Sequence, residues 1–84
     1  MSKPPVNNRQ DLSFILPAHI RAARAWLGWT LDDAEVKSGI SRDSISRFEL
    51  DKKNFGAKSR EKIFATFLAA GIELHPDGLR VIKT

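Results

Sequence analysis

Between Arg42 and Arg47 the chain places two guanidinium groups, one carboxylate and two hydroxyls in the run Arg42-Asp43-Ser44-Ile45-Ser46-Arg47. These groups donate and accept hydrogen bonds; nothing in their order makes or breaks a covalent bond. An Arg fork matches O6 and N7 of guanine, which makes Arg42 and Arg47 the candidates for reading bases. Asp43 has three open roles. It can accept from cytosine N4, brace Arg47 four residues on, or favour the helix dipole from the first turn. Ser44 and Ser46 can donate to phosphates or bases. The plainer reading, a solvated helix face, is not beaten by two arginines alone.

Other chemistries have little to stand on. His19 and His75 are far apart and lack metal-ligand spacing, so they read as surface histidines. Neither Ser44 nor Ser46 has a His or Lys placed as in a nucleophile motif, and no Gly-rich phosphate loop is present. There is no cysteine, which removes disulfides, zinc ribbons and thiol nucleophiles. An enzyme, a metal and a cofactor are therefore not expected.

The elements that must position the Arg42–Arg47 run follow from periodicity and caps. Pro17 opens a first helix, with Ile20, Ala23 and Leu27 on one face and Gly28 as its αL stop. Thr30 caps a second, short helix, with Asp33 at the third position of a capping box. It stops at Gly39. Ser41 caps a third helix that runs to about Leu50, with Ile45 and Phe48 turned inward. Phe55, in the polar loop that follows, is expected to tuck into the core. Lys58 to Ala70 forms a fourth helix on the stripe Ile63, Phe64, Phe67 and Leu68. Its opening run, Lys58-Ser59-Arg60-Glu61-Lys62, reads as solvated. Trp26 and Trp29 read as core or interface residues. In the tail, Pro76-Asp77-Gly78 is a turn between strands at 72–75 and 79–83. Such a ribbon needs support. Its edge either pairs with another chain or folds back on its own helices.

Composition bounds the rest. The chain has 84 residues, 42% hydrophobic and 29% charged, as in one small globular domain. The formal charge of +4 and the pI near 9.9 point mildly to polyanions. No apolar run reaches the ~18 residues of a membrane span. The start, MSKPPVNNRQD, lacks the apolar stretch of a signal peptide. A cytoplasmic location is expected. The division is a flexible arm at 1–12, a helix-turn-helix at 13–71 and a hairpin tail at 72–84 that is a possible dimerisation element.

Two short helices joined through a Gly-containing turn make a helix-turn-helix. The stretch from Ile20 to Ile63 resembles the Xre/Cro-type helix-turn-helix family of phage repressors and bacterial regulators. The residues that carry the likeness are Arg24 followed by Gly28-Trp29-Thr30, then Gly39-Ile40-Ser41, then Ile45-Ser46 and Glu49. The resemblance implies a mainly α, four-helix, lambda-repressor-like fold. It implies a transcriptional regulator, a repressor, that binds double-stranded DNA as a homodimer on a palindromic operator. It implies base contacts from Arg42, Asp43 and Arg47, a phosphate contact from Ser44, further backbone contacts from Lys52 and Lys53, and a structural pair between Arg24 and Glu49. The hydroxyls of Thr30, Ser41 and Ser46 join the phosphate set. Four positions depart from the family pattern: Leu31 stands where Gln is frequent, Glu35 for a small Ala, Asp51 for Gly and Phe55 for Pro. The competing expectation is a protein-interaction module, an antitoxin or co-regulator. It draws weight from Asp32, Asp33, Glu35 and Asp43, which would repel phosphate.

Overall fold

The computed structural model describes residues 11–82. Its elements are α1 (Pro17–Leu27), α2 (Leu31–Ser38), α3 (Arg42–Glu49), α4 (Ala57–Ala69), β1 (Ile72–His75) and β2 (Gly78–Val81). The fold is mainly helical, with a two-stranded antiparallel hairpin at the end. The greater part of the expected arm, 1–10, lies outside the described residues, as do Lys83 and Thr84. Leu12, placed in that arm by its position, is buried in the core instead.

The helix limits have local causes. Pro17 stands in the first turn of α1, and Gly28 closes it at φ 70°, a left-handed conformation that costs Gly little. The Thr30 hydroxyl accepts from the Asp33 N–H at 3.0 Å, and the Thr30 N–H donates to Asp33 Oδ2 at 2.9 Å. That reciprocal box starts α2. Ser41 Oγ accepts from the Ser44 N–H at 3.2 Å and starts α3.

The Thr30 N–H holds the Asp33 carboxyl below its usual range. This contribution is complete above the ordinary value of 3.8 and is lost as pH falls through the lowered one. Thr30→Ala is expected to cost about 1 kcal/mol at pH 7. The Thr30 N–H survives in this variant, so only the share of the loss that the hydroxyl gives through Asp33 narrows as pH falls below 3.8, as urea midpoints will report.

The core is built by inward faces of every helix. Ile20 and Ala23 of α1, Ala34 of α2, Ile45 and Phe48 of α3, and Ile63 and Phe67 of α4 are all buried. Trp29 stacks on Phe67 with ring centroids 5.4 Å apart. Phe55 is buried and stacks on Phe48 at 4.2 Å, as its apolar character in a polar loop predicts. Leu68, expected in the core stripe, is 40% exposed, because the buried sector of α4 is the narrower Ile63/Phe67 line. Trp26 is 65% exposed.

The hairpin folds back. Ile72 pairs with Val81 and Leu74 with Leu79, and Ile72 and Leu74 are buried. The tail thus closes the core beside α4 and α1, which supplies the support a lone ribbon lacks. His19 helps to hold it there, and this corrects its reading as a surface residue. It is 6% exposed. Its Nδ1 accepts from the Leu16 N–H at 2.9 Å, and its Nε2 lies 2.6 Å from the His75 carbonyl oxygen. An acceptor at Nδ1 and a carbonyl opposite Nε2 together select the neutral Nε2–H tautomer. One ring thereby joins the start of α1 to the hairpin turn.

Candidate nucleic-acid interface

The inner face of α3 is fixed at three points. Ile45 and Phe48 sink into the core, and Glu49, 6% exposed, sits beside them. A carboxylate so buried needs a cation, and Arg24 of α1 supplies it. Arg24 Nε donates to Glu49 Oε2 at 2.7 Å and Nη2 donates to Oε1 at 2.8 Å, a bidentate fork. The third branch, Nη1, donates to the Trp29 carbonyl at 2.9 Å. The bond to Glu49 raises the Arg24 pKa above its ordinary value, so the guanidinium stays charged. Arg21 adds a donor to the Glu49 carbonyl at the end of α3. One residue of α1 therefore ties together the end of α3 and the approach to α2.

With that face locked, the opposite face is determined. Arg42, Asp43 and Arg47 are exposed, and Ser44 and Ser46 are half-buried at its margin. Among the described residues Asp43 and Arg47 form no ion pair. The pair that forms is Arg42 Nη1 with Asp32 Oδ1 of α2, at 2.9 Å. Asp43 is left in the first turn of α3, where its charge suits the helix dipole.

The loop after α3 extends the same surface. Asp51, which stands where the family pattern has Gly, takes the left-handed conformation at φ 63° that Gly favours. The chain then turns so that Lys53 Nζ donates to Ser44 Oγ at 3.1 Å. Lys52 is exposed beside it. At the other departures, Leu31 packs partly buried against the core and Glu35 is half-buried. Thr30 and Ser41 use their oxygens as cap acceptors. Each hydroxyl proton remains available for a phosphate oxygen.

This constellation has a recognised counterpart. The helix-turn-helix family model HTH_3 matches residues 20–63, just over half of the chain. The chain belongs to this family. It is a helix-turn-helix protein of the Xre and lambda-repressor type, a family of DNA-binding regulators. The matched span starts in α1, which holds Arg24, and ends in α4, past the loop after α3. No curated protein matches the sequence. No helix of the described residues is long and apolar enough to cross a membrane.

Two features of this helix-turn-helix domain have little sequence signal. The partnership of Asp32 with Arg42 spans ten residues and two helices. Arg60, inside a run of charges that reads as solvated, is half-buried instead. It donates to the carbonyls of Phe55, Leu12 and Ile15. A run of Lys, Ser, Arg, Glu and Lys contains no mark that singles out its Arg; the one hint is that Arg60 follows Phe55 by five residues.

Proposed function

We propose that this helix-turn-helix protein is a sequence-specific double-stranded DNA-binding regulator that sets α3 in the major groove. The observation that carries the reading is the division of α3 into a locked face and a polar face. Ile45, Phe48 and Glu49 are buried, while Arg42, Asp43 and Arg47 are exposed together. A rigid helix with donors on its outer face fits a groove about 12 Å wide. Arg42 and Arg47 read guanine, and Asp43 accepts from a cytosine. Thr30, Ser41, Ser44, Ser46, Lys52 and Lys53 contact phosphates and set the register, which base contacts alone do not fix. By occupying its operator the protein excludes other proteins from it, so it acts as a cytoplasmic repressor.

One recognition helix reads few base pairs, so the functional unit is a homodimer on a palindromic operator with half-sites about 34–36 Å apart. The outer edge of β2 favours this. It has no partner strand among the described residues, and Val81 on it is 47% exposed. Two such edges related by a twofold axis pair without disturbing the packed side of the hairpin. Asp33 is held in the α2 cap and Asp32 by Arg42. Two of the carboxylates that would favour a protein-holding module thus have partners inside the domain.

The test compares two single variants on cognate and unrelated duplexes. Arg47→Ala is expected to cost about 1–3 kcal/mol at the cognate site and to relax choice at one base pair. Lys53→Ala weakens both duplexes alike and reduces the salt slope by about 1. Parent-like binding by both variants would contradict the assigned face.

A further inference from the structure

We infer that Asp32 is a positioning residue for recognition, holding Arg42 as a reader of bases and away from phosphate. The inference rests on the DNA-reading role of α3 proposed above. Asp32 and Asp33 are neighbours in the first turn of α2 but have different tasks. Asp33 closes the capping box with Thr30. Asp32 takes no part in that cap; its carboxylate reaches across to α3 and accepts from Arg42 Nη1 at 2.9 Å. Both side chains are well exposed, at 57% and 68%. A solvated pair of this kind does little for folding, so its consequence lies in what the guanidinium is free to do.

Arg42 is the first residue of α3, on a long, flexible stem. Unpaired, such a cation seeks the nearest phosphate, and that contact is the same on every sequence. Asp32 changes this in two ways. Its charge offsets that of the guanidinium, which weakens the pull of phosphate. Its single contact, at Nη1, leaves the Nε–H and Nη2–H edge of the guanidinium clear of the pair. That edge has the two-donor spacing that matches O6 and N7 of guanine. The turn between α2 and α3 fixes the carboxylate relative to the helix that enters the groove. The brace is therefore part of the helix-turn-helix itself.

The test uses the full-length protein, the duplex that it enriches from a random pool, and a scrambled duplex of equal composition. Binding is read by fluorescence anisotropy across a salt series. Asp32→Asn keeps the size of the side chain and removes its charge. It is expected to bind the scrambled duplex more tightly, with a salt slope steeper by about 0.9 for one added phosphate contact. The ratio of selected to scrambled affinity falls about tenfold, as for loss of one well-aimed bidentate contact. Asp32→Glu retains the carboxylate and recovers most of that ratio. Thermal midpoints of all three proteins agree within a few degrees, which a purely structural role would not give. A D32N ratio equal to the parent's, or a fall with no gain on scrambled DNA, overturns the role of Asp32 alone. A parent protein that enriches no duplex overturns both this role and the DNA-reading function.

Discussion

Arg24→Ala is expected to lower the stability of the domain by about 3 kcal/mol, read from urea or thermal unfolding. The number follows from what is left behind. Glu49 is 6% exposed, and both of its carboxylate oxygens accept from Arg24. Truncation leaves that carboxylate buried without its cation, and it also strips the Trp29 carbonyl of its donor. A domain of this size has roughly 4–12 kcal/mol in total, so a large share is lost. The thermal midpoint falls by about 15 °C, at several degrees per kcal/mol for a chain of this length. Removing both charges together, as Arg24→Met with Glu49→Leu, recovers much of the loss, because no unpaired ion remains. A single variant as unstable as the double one would mean that the loss is packing, with no part from the orphaned charge. Recovery of stability need not recover DNA binding, since the pair also sets the angle at which α3 leaves the core.

Arg60→Ala is expected to cost about 3 kcal/mol, a comparable effect from a residue outside α3. Its guanidinium donates to Ile15 O at 2.8 Å, Phe55 O at 3.0 Å and Leu12 O at 3.2 Å. It also lies 5.6 Å from the centre of the Phe48 ring, within the range of a cation–π contact. One side chain thus pins the segment before α1 and the loop after α3 to α4. Hydrogen exchange in the variant should rise first at residues 12–16 and near Phe55. Arg60→Lys recovers less than half of the loss, because one ammonium has neither the planar fork nor the stacking face. Uniform exchange across the domain would contradict this local account.

Arg24 and Arg60 mark what the sequence discloses and what it hides. The four helices, their Gly stops at Gly28 and Gly39, and the Thr30 and Ser41 caps all lie in short windows, where spacing and residue type decide the outcome. The hairpin was legible for the same reason, through Pro76-Asp77-Gly78. The Arg24–Glu49 pair joins residues 25 apart, and what made it visible was a family resemblance. Arg60 and His19 had no such help. Each is a polar residue made internal by carbonyl groups from distant segments, and no local pattern encodes that. The Arg42–Asp32 pair has no local signal for a related reason. Helical spacing offers Asp43 to Arg47, whereas the turn between α2 and α3 brings Asp32 to Arg42. Tertiary geometry selected between two carboxylates that look alike in sequence.

The family and fold explain how so short a helix as α3 can be rigid. Its eight residues are too few to stand alone. Burial of Ile45 and Phe48, the Ser41 cap and the Arg24 clamp hold it in place, and its outer face stays exposed for the proposed recognition. The most direct measurement of that role is selection of bound duplexes from a random pool by the full-length protein, followed by sequencing. The account predicts an enriched inverted repeat with guanine-containing half-sites about one helical turn apart. Recovered duplexes with no shared motif would contradict it.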